Sequence, residues 1–435
     1  MRQEAIDTPP YEAVKKGSRN SGRMHMWRRL TQITFLLLLV FVPMFGFFRL
    51  DVATGAFVIG NYQVWFSDFP IVIGVWVFMA SALVMTYSYF GAVFCGWLCP
   101  QGFLSELGSN LMRRLLGRRA DLGVDGAAVK VAERKKGIGN WILLGLAFVG
   151  GSMLVGLIPL LYFYPAKAVW HFVTFTADPG MPLSIYWIYF VFVVVILIDA
   201  ALIRHLMCRY FCIYRIWQHS FKTSETLTIG YDATRSDDCI KCGYCLTACA
   251  VDLDPRDTEL YSGCTACGEC IVACDKLHAR KDGDGLLSFV FPKASEKKGG
   301  GNQATIMGRL RGVLPGMAVG AALLGFGLMH YQSYHMSVGN IGGRGAGMNT
   351  YVVHLANKRY QPADLHISVR GLKPGQYTLT SHDVHFNSAG IRDVQLHLDR
   401  VSIGDGLHRF IVDVRSADGW KKSFTVEYYA VGDAG

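Results

Sequence analysis

With 435 residues, 51% of them hydrophobic and 13% aromatic, the chain is too apolar for an ordinary soluble protein and too long for one small domain. The net charge of +10, from 43 Lys and Arg against 33 Asp and Glu, fits either nucleic-acid binding or the basic loops of a membrane protein. The basic residues cluster between uncharged runs, which favours the membrane reading and excludes a nucleic-acid partner.

In chain order, the first 30 residues carry seven basic side chains, Arg2, Lys15, Lys16, Arg19, Arg23, Arg28 and Arg29. LTQITFLLLLVFVPMFGFF, between Arg29 and Arg49, is long enough to span a bilayer; no small-residue cleavage site follows it, so an uncleaved anchor is expected. A second span, FPIVIGVWVFMASALVMTYSYFGAVF, follows Asp68. A third, WILLGLAFVGGSMLVGLIPLLYF, lies between Lys136 and Lys167, and a fourth, LSIYWIYFVFVVVILI, between Asp178 and Asp199. The glycine-rich VLPGMAVGAALLGFGLM after Arg311 is the fifth. Eight basic residues lie between Cys95 and Asn140, against one each, Arg49 and Lys167, in the connections 49–69 and 165–182. Lys and Arg favour the cytoplasmic side, so the amino terminus and the 95–140 loop are expected inside and the residues after the fifth span outside. Asp199, the one acid in the fourth run, is an intramembrane carboxylate, but Arg204 near the boundary gives it an ordinary partner.

All 12 cysteines fall on the expected inner side, the reverse of a disulfide-stabilised secreted protein. Eight of them lie in CIKCGYCLTACAVDLDPRDTELYSGCTACGECIVAC, where C-x2-C-x2-C-x3-C occurs twice. That spacing places three thiolates on one iron-sulfur cluster and delivers the fourth to its neighbour. One [4Fe-4S] cluster is therefore expected on Cys239, Cys242, Cys245 and Cys274, and a second on Cys264, Cys267, Cys270 and Cys249. Zinc knuckles lack the third closely spaced cysteine. The proline that commonly follows the fourth cysteine is Ala250 in one copy and Asp275 in the other.

The remaining cysteines form two pairs, Cys95 with Cys99 in FCGWLCPQG and Cys208 with Cys212 in MCRYFCIYR, each where a span meets the cytoplasm. Four residues apart, each pair shares one face if helical. Converged, the four thiols suit a soft metal such as Cu(I) or a further iron-sulfur cluster; buried cysteine is also an ordinary small hydrophobe. His205 and Met207 precede the second pair and could add ligands. The linker ASEKKGGGNQATIMGRLRG reads as a flexible basic tether beside anionic lipid.

From Asn349 onward, TYVVHLA, DLHISVRG, QYTLTS, VQLHLDRV, HRFIVDVRS and SFTVEYYAV are separated by KPG, GDG and ADG, the pattern of a small β-sandwich suited to partner docking. Met329, His330, His335 and Met336 are copper-capable residue types but fit interfacial anchors better, and His382 and His385 have no assigned partner.

The order of these features, with RYFCIYRIWQHSFKTSETLTIGYD before the double motif and IVACDKL closing it, resembles the FixG/CcoG/RdxA family of cytochrome oxidase accessory proteins. VATGAFVIGNYQVWFSDF and YVVHLANKRYQPADLHISVRGLKPGQY are similar to that family's first outward loop and to the start of its immunoglobulin-like terminal domain. The second pair is followed by Ile213 where the family has proline.

The resemblance implies a bacterial inner-membrane polyferredoxin that reduces Cu(II) to Cu(I) while a cbb-type cytochrome oxidase is assembled. Its catalytic thiols would be Cys95, Cys99, Cys208 and Cys212, and its partners copper ions, the oxidase or its assembly factors, an electron donor and membrane lipid. A quinol-linked electron-transfer subunit of the periplasmic nitrate reductase type and a non-enzymatic assembly scaffold are the alternatives.

The expected fold is a multi-domain membrane protein: an all-α bundle of five spans, an inserted bacterial-type 2[4Fe-4S] ferredoxin domain and a carboxyl-terminal immunoglobulin-like β-sandwich. Its expected divisions are a basic segment (1–30), spans one to four (31–230), the cluster domain (231–292), a linker (293–312), the fifth span (313–330) and the outer domain (345–435).

Overall fold

Lipid offers no partner for backbone polar groups, so an uncharged run of about 20 residues stays in it only as a helix. In the computed structural model five helices among the described residues are long and apolar enough to cross a membrane, Arg23–Met44, Phe69–Phe90, Ile138–Phe163, Ser184–Ile203 and Ile306–Met329. The structure describes residues 21–52, 54–117, 120, 129–176, 182–204, 206–256, 263–278, 284–292, 305–340, 349–404 and 406–430.

The elements relevant here are, in chain order, α1 (Ser21–Met44), β1 (Arg49–Asp51), β2 (Ala56–Ile59), β3 (Tyr62–Val64), α2 (Phe69–Phe90), α3 (Val93–Trp97), α4 (Pro100–Leu116) and α5 (Ile138–Phe163). Then follow α6 (Ala166–Val173), α7 (Ser184–Ile198), α8 (Ile213–Phe221), β4 (Thr228–Tyr231), α9 (Tyr244–Thr247), α10 (Glu269–His278), β5 (Leu287–Val290) and α11 (Ile306–Met329). The rest is β-rich: β6 (Tyr334–Asn340), β7 (Thr350–Asn357), β8 (Ala363–Arg370), β9 (Tyr377–Leu379), β10 (Asp383–Phe386), β11 (Gly390–Leu398), β12 (Gly406–Ser416) and β13 (Lys421–Ala430). α1 and α11 start earlier than their uncharged cores and take in flanking arginines, because long basic side chains at a helix end can reach the polar interface.

Two compact units divide the chain, one comprising Ile73–Leu323 with the chain up to Met44, the other Phe45–Val72 with Leu324–Gly435. In the first, glycine lets spans touch. A β-carbon on Gly320 of α11 would stand 2.5 Å from Phe78 N in α2, and one on Gly316 would stand 2.9 Å from Ser81 Oγ. The glycine-rich fifth run is thus a close-packing face, the device membrane helices use where burial of apolar area drives nothing. α5 and α7 pack at Gly156, whose β-carbon would meet Val193 at 3.0 Å, and Tyr189 Oη donates to Met153 O. The cysteine-rich segment is closed by the antiparallel pair β4 and β5, with Ile229 facing Phe289.

In the second unit, two four-stranded antiparallel sheets, ordered β6-β7-β11-β9 and β10-β8-β12-β13, share one core. Strand alternation builds it: Val353, Leu355, Leu396 and Leu398 come from one sheet and Leu365, Ile367, Phe410, Val412 and Val414 from the other. The β-rich region begins earlier than Asn349. Met336 of β6 is buried in this core while His335 beside it turns to Trp65, so Met329, His330, His335 and Met336 form no common site. His330 Nδ1 instead donates to Phe326 O, one turn back on α11.

The 45–72 connection joins the same unit through β1–β3. Gln63 N donates to Lys358 O (2.8 Å) and Tyr360 N to Asn61 O (3.0 Å). The Lys358 ammonium, 2% exposed, lies 2.8 and 2.9 Å from the two Asp68 oxygens and over the Trp65 ring.

Candidate functional site

The repeated cysteine motif folds as a repeat. Lys241 and Ala266, each one residue before the second cysteine of its copy, adopt left-handed backbone (φ 51° in both), and Gly243 and Gly268 follow that cysteine at φ 71° and 78°. Two left-handed residues flanking a cysteine curl the chain into a cup with thiols on its inside, and only glycine takes that conformation freely. α9 and α10 carry the next cysteines from these cups.

Thiols from the two copies then exchange partners. Cys239, Cys242, Cys245 and Cys274 line one cavity with Tyr231, Arg256 and His278, and Cys249, Cys264, Cys267 and Cys270 line another with Ile229, Val251 and Leu253. Backbone N–H groups point at the sulfurs: Leu253 N donates to Cys249, Ala266 N to Cys264 and Leu286 N to Cys274, each at 3.4 Å. Burial pushes the Cys267 thiol up to about 11, although the Arg28 guanidinium beside it pulls the other way, and burial also raises Cys264, Cys270, Cys245 and Cys274. Such thiols stay protonated until a metal centre replaces the proton. Four sulfurs around a mostly apolar space, with amide donors aimed at them, fit an iron-sulfur cluster.

The paired cysteines do not share a helical face. Cys95 lies in the short α3, whereas Cys99 has extended backbone (φ −59°, ψ 122°) and precedes α4, with Pro100 as its first residue. Cys208 lies in a π-helical turn, Met207–Phe211, and Cys212 is again extended (φ −71°, ψ 106°) just before α8. Ile213 occupies the place of Pro100, so the same break is made without proline. Another π turn, Asp199–Ile203, ends at Arg204, a buried residue held at φ 41°. π turns and left-handed non-glycine residues store strain and recur at functional sites.

These breaks bring both pairs to one cavity of about 250 Å³, lined by Cys95, Cys99, Cys208 and Cys212 with Gln101, Met207, Arg215, Lys222 and Cys264. Backbone N–H groups of Gln101 and Gly102, at the start of α4, point at the Cys99 thiol and partly offset the effect of its burial. Burial, then the neighbouring thiols of Cys99, Cys95 and Cys212, push Cys208 up to about 12. Among the described residues no three His, Cys, Asp or Glu side chains close on one point in the manner of a single-ion site. Met207 lines the cavity; His205 lies outside the described residues. Gln101 Nε2 donates to Asp199 Oδ1 at 2.8 Å, which ties the first pair's helix to the fourth span.

Sequence reasoning missed the contact between this cavity and the second cluster set. Gly96, inside FCGWLCPQG, abuts the Cys264–Cys267 loop: a β-carbon there would stand 2.7 Å from Cys267 Cα and from Thr265 O. Trp97 Nε1 donates to Ala266 O (3.2 Å), and Gly263 packs on the Arg215 guanidinium, which also donates to Cys208 O (3.0 Å). Glycine between the first two cysteines was the available signal.

In the second unit, His385 Nδ1 lies 2.6 Å from Asp364 Oδ1 and His366 Nδ1 2.6 Å from Asp383 Oδ1, on the exposed face of β8 and β10. His382 Nδ1 meets Ile367 O and does not join them.

Residues 72–119, with Cys95 and Cys99, match the family described as 4Fe-4S binding domain. The chain is 28% identical over 221 residues to protein RdxA of Cereibacter sphaeroides, covering 48% of this chain and 45% of RdxA. It is 23% identical over 282 residues to nitrogen fixation protein FixG of Rhizobium meliloti (57% and 52%), and 28% identical over 163 residues to YccM of Escherichia coli (36% and 40%). The matches span about half the length of these relatives.

Proposed function

We propose that the chain, similar to RdxA, FixG and YccM, is a membrane polyferredoxin of the FixG/RdxA kind that carries single electrons to Cu(II) and releases Cu(I) for oxidase assembly. In this reading Cys239, Cys242, Cys245 and Cys274 hold one [4Fe-4S] cluster and Cys249, Cys264, Cys267 and Cys270 a second. Such a cluster supplies one-electron storage when bound. The observation that carries the reading is the sorting of all 12 cysteines into three cavities, two lined by four thiols each and the third by the two pairs together with Cys264 of the second.

Cys95, Cys99, Cys208 and Cys212 receive Cu(II) as substrate; one added electron gives Cu(I), which soft sulfur ligands favour over Cu(II). The four thiols are half-buried, and the mostly apolar lining leaves few protein oxygen ligands to compete with them. The basic 1–30 segment, the ferredoxin-like domain and the linker sit in the cytoplasm of a bacterial inner membrane. The two-sheet unit is an immunoglobulin-like domain outside, available to dock the oxidase or its assembly factors. Serine at any of the four paired cysteines tests this: copper reduction falls while both clusters remain.

The 4Fe-4S family match over 72–119 favours a second reading, in which the paired thiols hold a third cluster. Lys222 and Arg215 at the cavity wall suit an anionic thiolate-bound centre. Iron analysis separates the two, with about eight irons per chain for two clusters and about twelve for three.

A further inference from the structure

Arg28 is a buried basic residue beside the second thiol set. It lies on α1, 2% exposed, and binds three other parts of the chain at once. Its Nε donates to Gly96 O (2.8 Å), its Nη1 to Glu269 Oε1 (2.5 Å) and its Nη2 to Glu106. Gly96 belongs to the Cys95–Cys99 turn, Glu106 to α4, and Glu269 lies between two cysteines of the second set, Cys267 and Cys270. Gln32, one turn on, also reaches Gly96 O (3.4 Å), and His25 reaches Glu269 (3.0 Å). A buried guanidinium is tolerated only when its donors are used, and here they close the junction between the paired thiols and the second set.

At the other cavity Arg256, half-buried, lines the wall beside Cys239 and is engaged bidentately by Asp254 two residues before it. Each thiol set therefore has a guanidinium beside it, and Arg28 is the more deeply buried of the two. A fixed positive charge beside a centre that gains an electron stabilises its reduced form and raises its potential.

We infer that Arg28 is a positioning and tuning residue: it locks the Cys264–Cys267 loop onto the Cys95–Cys99 turn, and its charge raises the potential of the second thiol set above what that set would have without it. The inference rests on the assignment of Cys249, Cys264, Cys267 and Cys270 as iron-sulfur ligands. With it, Arg28 acts on the set that touches the paired thiols, while the set containing the exposed Cys242 is the side open to a donor.

The test is an anaerobic redox titration of the full-length protein in detergent, followed by EPR, on the wild type and on Arg28→Gln, Arg28→Lys and Glu106→Gln. Arg28→Gln should move one midpoint of the two negative by about 59 mV or more, a tenfold change in a one-electron equilibrium, and leave the other in place. Arg28→Lys keeps the charge and should restore most of the shift. Glu106→Gln removes a negative charge from the same junction and should move that midpoint positive; it serves if Arg28→Gln does not fold. Midpoints unchanged in all variants, or both shifting together, overturn the role of Arg28 and leave the ligand assignment standing. Absence of a second iron-sulfur signal in the wild type overturns both.

Discussion

Replacing Gly96 by alanine tests the junction between the paired thiols and the second set without touching a ligand. The new methyl would stand 2.7 Å from Cys267 Cα and Thr265 O and 2.8 Å from Cys267 N. These atoms are all backbone, so no rotamer change relieves the clash and the loop must withdraw. Overpacking of this kind costs about 1–3 kcal/mol, and about 1.4 kcal/mol is tenfold in a local opening equilibrium. Gly150→Ala in α5 is the control: nothing lies within 4 Å of its β-carbon, and helix propensity alone gives a gain of about 1 kcal/mol. The assay is the rate of iron release to a ferrous chelator from the anaerobically purified protein. Gly96→Ala should speed one phase about tenfold and leave the other phase and the Gly150→Ala protein at the wild-type rate. Equal rates in all three proteins would refute the contact as described.

Serine at Cys95, Cys99, Cys208 or Cys212 should lower single-turnover copper reduction at least about tenfold with both iron-sulfur EPR signals retained. In the β-rich unit, Lys358→Ala leaves Asp68 without its buried partner and should cost about 3 kcal/mol, read as a loss of melting temperature of the β signal by circular dichroism. Arg409→Ala breaks the exposed pair with Glu427 and should change the same melt by less than about 1 kcal/mol. The buried Asp413 carboxylate, with Arg370 and Ser423 bonded to it, is held down to about 2. Its folded value lies below the unfolded one, so its contribution is present above about pH 4 and fades as pH falls towards 2. Asp413→Asn should flatten the acid limb of stability, followed by the β signal in circular dichroism.

The five apolar helices and the crossed thiol sets were legible in the sequence because each is fixed by a local rule. A run must match bilayer thickness, and the C-x2-C-x2-C-x3-C spacing matches one cluster and its neighbour. The strands β7, β8, β9, β11, β12 and β13 were legible from alternation between turn signals. β10 and β6 were not: DVHF is four residues long, and YHMSVGN continues a membrane-proximal run whose His and Met look like interface residues.

The geometry of the pairs was also hidden, because CxxxC reads as one helical face, whereas Cys99 and Cys212 sit in extended residues that break the helix. Arg28 is one of seven early basic residues, and nothing local marks it as the one that turns inward. That choice is made by Glu106 and Glu269, which lie far along the chain.

The most direct measurement of the central claim is a single turnover. The protein is purified anaerobically, reduced, freed of excess reductant and mixed with Cu(II), while iron-sulfur absorbance and the Cu(II) EPR signal are followed together. The account predicts that the two signals change in step and that serine at the paired cysteines slows both. Iron-sulfur absorbance that stays at its reduced level beside an undiminished Cu(II) signal would contradict it, and would move the search for the acceptor to quinones.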